Sequence, residues 1–289
     1  MKIVGPELEI ELNPQQEDVI QAPVDKCLWV VAGPGSGKTA TLALRVLKLI
    51  LVDEVEPSGI IATTFTRRGA AELRSRILGW GNRLIRALGL EAGHINLNQI
   101  VTGTLDSIVR EVMSDLREPA LPAPTVIEEF VSQSLMIRTG LLESGLFNDP
   151  GLRDYLVYLR GSYGLNVGAM AEVLCDIRER IVNDQVDFSL FREKEGHRPG
   201  VEAVCRIIQM YEETLRQRLL CDYAELERQF LEQLDSAALD AFLSGVRYVL
   251  VDEYQDTNRL QEKIYLKLAE AAYTAGGGIT VVGDDDQSL

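Results

Sequence analysis

The stretch Leu28-Trp29-Val30-Val31-Ala32-Gly33-Pro34-Gly35-Ser36-Gly37-Lys38-Thr39 decides how this chain folds. Four apolar residues with strand character run into a glycine-rich turn, and Lys-Thr then opens a mostly apolar helix, Thr39–Leu51. Backbone N–H groups of such a turn, with the positive end of the helix behind them, surround an anion. Gly33, Pro34, Gly35, Ser36 and Gly37 form the cradle. Lys38 is placed to reach β- and γ-phosphates, and the Thr39 hydroxyl to sit on Mg²⁺. The strict motif opens on Gly, where this chain has Ala32. The plain alternative is an ordinary strand–helix turn; the strand before and the helix after favour a nucleoside triphosphate.

Working outward, strands and helices alternate. Gly59–Phe65 reads as a second strand and Arg67–Gly79 as a helix, then Asn98–Gly103 as a strand and Leu105–Leu116 as a helix. That order predicts an α/β fold with a parallel sheet covered by helices. The pattern breaks at the proline-rich Glu118–Pro124, where helices stop. Helical periodicity without strands follows, over Val126–Thr139, Leu152–Tyr158, Val167–Val182 and Val201–Leu219. Strand character returns at Val246–Val251, followed by a helix Arg259–Ala272 and a last strand Gly278–Val282. The simplest account is one α/β domain over 1–116 and 219–289, interrupted by an all-helical insertion at 117–218.

Composition narrows the function classes. A net charge of −15 argues against indiscriminate coating of nucleic acid. Charge is uneven, however: residues 67–86 carry six arginines against Glu72 alone, so contact with nucleic acid is expected there if anywhere. The competing reading is a solvated helix face. No apolar stretch approaches the ~20 residues of a membrane span, and the N-terminus shows no secretory pattern. Four scattered cysteines suggest reduced thiols in a cytoplasmic protein. With histidine only at His94 and His197, His-based metal sites and Ser-His-Asp triads are not expected.

Val249-Leu250-Val251-Asp252-Glu253 is an apolar strand ending in two carboxylates. After a phosphate loop, Asp252 is suited to hold Mg²⁺ opposite Thr39, and Glu253 to orient and deprotonate the attacking water. The last strand delivers Gly283-Asp-Asp-Asp286-Gln287 to the edge where open α/β sheets bind ligands, and Gln287 can read a γ-phosphate or that water. Upstream, Gln16 of Leu12-Asn13-Pro14-Gln15-Gln16 can pair with an adenine edge, or simply belong to a helix start capped by Asn13. In Thr63-Thr64-Phe65-Thr66-Arg67-Arg68 an aromatic ring stands at a strand tip beside hydroxyls and arginines. That suits base stacking with nearby phosphate neutralisation, or else Phe65 is a core aromatic.

In this order the segments resemble the UvrD/Rep family of superfamily 1 DNA helicases. The matches are an adenine motif at Leu12–Gln16, Walker A at Ala32–Thr39 and motif Ia at Thr63–Leu73, then Gly103–Ser107, Asp222–Leu226, Walker B at Val251–Asn258 and motif III at Val282–Leu289. The resemblance implies a RecA-like P-loop NTPase subdomain 1A interrupted by a helical subdomain 1B. It implies ATP-driven 3′→5′ translocation on single-stranded DNA with unwinding at duplex junctions. The family's roles fall on Gln16 for adenine, Lys38 and Thr39 for phosphate and Mg²⁺, Asp252 for Mg²⁺, Glu253 for the base and Gln287 for the γ-phosphate. DNA contact falls on Phe65 and Thr66, with the cations Arg67 and Arg68 beside them, and on Thr104. This chain has Arg67-Arg68-Gly69-Ala70 where relatives read Asn-Lys-Ala-Ala, Asp106 where they read His, and Ala40 where Arg often follows the Walker A Thr. The chain stops at Leu289 inside motif III, so the second RecA-like domain with its arginine fingers lies outside it. These residues alone are therefore expected to bind ATP but hydrolyse it poorly. Rival readings are the motor subunit of a helicase–nuclease complex, a non-motor ATP-switched adaptor binding DNA or protein, and a small-molecule P-loop kinase.

Overall fold

The computed structural model describes residues 2–5, 8–90, 95–115, 124–161, 164–236 and 238–284, with side chains from Ile10 onward. Contacts divide the chain into two compact units. The first is Met1–Val112 with Gln233–Thr257 and Gln261–Leu289; the second is Met113–Glu232 with Asn258–Leu260.

The first unit is α/β. A short antiparallel pair, β1 (Lys2–Gly5) and β2 (Leu8–Glu11), precedes α1 (Pro14–Gln21). The main strands are β3 (Leu28–Val31), β4 (Ile60–Thr63), β5 (Val101–Gly103), β8 (Tyr248–Val251) and β9 (Gly278–Gly283), in the order β3-β9-β8-β4-β5. Every neighbouring pair is parallel, as the alternation of strands and helices predicts. Strands β4 and β8 are buried along their whole length, which their unbroken apolar sequences permit only inside a sheet covered on both faces. Register aligns the strand ends: Val31 pairs with Gly283, and Val251 with both Thr63 and Val281. The chain therefore leaves β3, β4, β8 and β9 at one edge of the sheet.

Helix α2 (Lys38–Leu51) buries Leu42, Val46, Leu47 and Leu49 in the core shared with Ile60, Leu73 and Leu250. Helix α3 runs Arg67–Ala87, two turns beyond the glycine at which the sequence suggested it would stop. A second glycine in the added turns, Gly81, has a packing role: a Cβ there would lie 2.4 Å from Leu97 and 2.8 Å from Leu47. This glycine permits close packing rather than ending a helix. Helices α4 (Leu105–Asp115), α11 (Asp240–Gly245) and α12 (Arg259–Thr274) complete the unit's connections.

The second unit is helical: α5 (Glu129–Leu135), α6 (Pro150–Arg160), α7 (Val167–Asn183), α8 (Phe188–Glu195), α9 (Val201–Gln217) and α10 (Tyr223–Asp235). Its core gathers Met136, Leu156, Met170, Leu174, Val204, Ile208 and Tyr211. Two expectations are corrected here: the insertion is not free of strands, and the helix predicted over 126–139 is not one continuous α-helix. The predicted helix Val126–Thr139 begins instead as strand β6 (Thr125–Val126), which pairs in parallel with β7 (Leu220–Cys221), and then passes from α5 into a π-helix, Met136–Glu143. A ladder of two residues leaves no periodicity to read. Arg178 on α7 is almost fully buried and grips Asp222 through two bonds of 2.7 and 2.8 Å. Asp222 in turn accepts the Glu225 N–H at 2.9 Å, capping α10.

Candidate nucleotide site and adjoining cleft

The loop after β3 has the backbone of an anion nest. Gly35 and Gly37 take φ of 72° and 82°, conformations that side chains resist, and Gly37 hands the chain directly to α2. Ser36 Oγ donates to Gly33 O at 2.7 Å, closing the turn on itself. Ala32, in place of the motif's usual Gly, donates its N–H to Gly283 O at 2.9 Å and so extends the β3–β9 ladder.

Lys38 and Thr39 meet the carboxylates that end β8. Lys38 Nζ lies 3.1 Å from Glu253 Oε2, and Thr39 Oγ1 donates to Asp252 Oδ2 at 3.0 Å. These pairs join residues more than two hundred positions apart, and strand register is what brings them together. Burial pushes the Asp252 carboxyl above the usual carboxylate range despite the Thr39 bond. A hydroxyl and a buried carboxylate are the hard oxygen donors that Mg²⁺ accepts, and such sites fill the remaining positions with water and phosphate. Burial also pushes Glu253 up, but hydrogen bonds from Gln255 and Lys38 and the Lys38 charge outweigh it, and its carboxyl is held below the usual range.

Two features at this edge carry no local sequence signal. Glu253 has φ 56° and ψ 46°, a left-handed conformation rare for a side chain of its size, which turns the chain sharply at the tip of β8. Gln255 donates to Glu253 Oε2 at 2.8 Å and accepts the Asp284 N–H at 3.0 Å, tying the β8 tip to the end of β9. Asp285, Asp286 and Gln287 lie outside the described residues, so the γ-phosphate role expected of Gln287 has no structural account here.

Both readings of Gln16 are compatible with its geometry. It completes a capping box on α1, accepting the Asn13 N–H at 3.0 Å while Asn13 Oδ1 accepts its own N–H at 2.8 Å. Its Nε2 also donates to Ser36 O at 2.9 Å, and a Cβ on Gly37 would lie 2.9 Å from that nitrogen. The amide thus rests on the phosphate loop with one N–H and one oxygen lone pair still to offer.

Beyond the carboxylates a cleft continues, lined by Asp252, Glu253, Thr64, Phe65, Thr104, Leu105, Asp106, Thr257, Gln261 and Tyr265. Phe65 is 58% exposed at the tip of β4, not a core aromatic. Thr66, Arg67 and Arg68 are exposed beside it, with Thr66 Oγ1 capping α3 through Gly69 N–H at 3.0 Å. Thr104 is buried and bonded to Ser107, so it reaches the cleft wall but not the open surface. The other arginines of this helix are not equivalent. Arg74 bonds Thr102 Oγ1 at 3.0 Å and braces β5, and Arg76 pairs with Glu72 on its own helix.

A glycine-rich loop opening a helix, facing a strand-tip Asp-Glu pair on a parallel sheet, defines a P-loop nucleotide-binding protein. The comparisons narrow the class further. The profile of the UvrD/REP helicase N-terminal domain matches residues 12–289, and the chain belongs to that family. It is 30% identical over 285 residues to DNA helicase II of Haemophilus influenzae, covering 96% of this chain and 34% of the relative. It is 27% identical to ATP-dependent DNA helicase SRS2 of Saccharomyces cerevisiae, over 96% of this chain and 23% of the relative. With ATP-dependent DNA helicase Rep of Buchnera aphidicola the identity is 26%, over 96% and 36%. The chain thus spans about a third or less of these relatives' length.

Proposed function

We propose that this chain is the N-terminal ATP-binding half of a superfamily 1 DNA helicase, in which ATP hydrolysis drives 3′→5′ movement along single-stranded DNA and separates duplex at junctions. The α/β unit corresponds to subdomain 1A and the helical unit to subdomain 1B, acting in the cytoplasm. The observation that carries this reading is the pairing of Lys38 with Glu253 and Thr39 with Asp252, at the head of a cleft that leads to an exposed Phe65. The glycine loop and Lys38 bind the triphosphate, and Gln16 reads the adenine edge. Thr39 and Asp252 hold Mg²⁺, which when bound neutralises charge on the β- and γ-phosphate oxygens. Glu253, ionised at neutral pH, takes the proton of the attacking water as its oxygen bonds to the γ-phosphorus and ADP departs. Phe65 offers a stacking surface for a base, with Thr66, Arg67 and Arg68 at the phosphates. No helix among the described residues is long and apolar enough to cross a membrane.

The test is ATP turnover by the full-length gene product with and without single-stranded DNA, beside a Lys38→Ala control. Turnover stimulated by DNA and lost in the variant supports the proposal; turnover indifferent to DNA contradicts it.

A further inference from the structure

Arg45 sits two turns along α2 from Lys38 with no exposed surface. A buried cation ordinarily finds a carboxylate, yet the acceptors around this one are neutral. Its Nη1 donates to Ile20 O at 3.1 Å and to Ala22 O, and its Nη2 to Pro23 O at 2.8 Å and to Tyr248 Oη at 3.0 Å. The three carbonyls close the C-terminal end of α1. That helix has no basic residue in its own last turn, so α2 supplies the charge that its negative end favours. Lys48, also on α2, adds a bond to Ala22 O at 3.2 Å.

The network does not stop there. Tyr248 Oη donates to Lys26 O at 3.2 Å, ahead of β3, and lies 2.9 Å from Thr280 Oγ1 on β9. One guanidinium therefore joins the far end of α1 to the helix that follows the phosphate loop, and through Tyr248 to β8 and β9. The near end of α1 carries Gln16, resting on Ser36 O. A helix of eight residues pinned at its last carbonyls has little freedom to rotate at its first turn.

We propose that Arg45 is a positioning residue for base recognition: by clamping the C-terminal end of α1 to α2 it holds the Gln16 amide where it meets the adenine edge, and so sets the preference for adenine. The proposal rests on the reading of this loop as an ATP site with Gln16 facing the base.

The experiment measures KM and kcat for ATP and ITP, which carries an oxygen where adenine has its amino group, using the full-length protein. Wild type, Arg45→Lys, Tyr248→Phe and Gln16→Ala are compared. The wild type is expected to prefer ATP. Arg45→Lys, which keeps the charge but loses the fork, should raise KM for ATP about 10-fold and that for ITP no more than about twofold. Tyr248→Phe should move in the same direction by a smaller factor, and it decides the matter if Arg45→Lys does not fold. Combining Arg45→Lys with Gln16→Ala should add little to Gln16→Ala alone. An unchanged ATP/ITP ratio in both clamp variants, or equal loss for both nucleotides, would overturn the proposal by making Arg45 a general support of the fold. A wild type that does not distinguish ATP from ITP would instead overturn the base-reading role of Gln16 on which it stands.

Discussion

Glu253 is held in a left-handed backbone conformation with its carboxylate fixed between Lys38 and Gln255. Such strain persists only where the surroundings enforce it, and here it aims the group that the proposed reaction needs. Glu253→Gln should lower kcat roughly 10²- to 10⁴-fold while ATP binding, followed by nucleotide fluorescence, stays within a few-fold of wild type. Turnover near wild type would remove Glu253 from the chemistry. Gly37 makes a second prediction. Its φ of 82° and the Gln16 nitrogen 2.9 Å from a would-be Cβ mean that Gly37→Ala pushes on loop and amide together. A cost of roughly 1–2 kcal/mol is expected, seen as weaker ATP binding in a titration. Unchanged affinity would show that the loop can relax. The residues of this site were readable in sequence wherever chemistry is local, as in Lys38-Thr39 and Asp252-Glu253. Gln255 was not, because a side-chain bridge from Glu253 to the Asp284 backbone has no pattern of its own.

Among elements, the N-terminal half of α3 divides its labour. Phe65, Thr66, Arg67 and Arg68 are exposed around its start, while Arg74 braces β5 and Arg76 pairs with Glu72 one turn back on the same helix. Charge counting treats all six arginines alike; only packing separates them. Phe65→Ala should weaken single-stranded DNA binding by about 1–3 kcal/mol at fixed salt. Arg67→Ala or Arg68→Ala should weaken it less and lower the slope of log affinity against log salt by about 0.7 for each phosphate left unneutralised. DNA affinity unmoved by Phe65→Ala would return that ring to a structural role. In the helical unit, α7 and α10 are joined through Arg178 and Asp222. Asp222→Asn removes the charge of the nearest carboxylate on the buried Arg178 guanidinium, leaving Glu225 and Glu212 at 3.6 and 3.7 Å, and should destabilise the unit by about 1–3 kcal/mol, read as faster hydrogen exchange in α7 and α10. Burial pushes Glu225 up, but Arg228, Gln229 and Arg178 more than reverse this and its carboxyl ends below the usual range. Its stabilisation is therefore present at neutral pH and lost as pH falls through that lowered value. Glu225→Gln should speed exchange in α10 at pH 7, with the difference closing as pH falls below the ordinary glutamate range and through that lowered value. A gap that persists in acid would mean Glu225 acts by shape rather than charge.

At the scale of the molecule, strand alternation and the break at Glu118–Pro124 were enough to predict a parallel α/β sheet and a helical insertion. What escaped was the return. Contacts keep the chain in the helical unit through Glu232, where the sequence placed the change at 218–219, because α10 is tied by its Asp222 cap to Arg178. That tie is a tertiary one, between residues 44 positions apart. The Lys38–Glu253 and Thr39–Asp252 pairs, the cleft and the exposed Phe65 together support the proposed reading, in which the full-length protein hydrolyses ATP in response to DNA. Steady-state ATP turnover of the full-length product, with and without single-stranded DNA and beside Lys38→Ala, tests it most directly. The account predicts strong stimulation by DNA that the substitution abolishes. Turnover that ignores DNA, or that survives without Lys38, would contradict it.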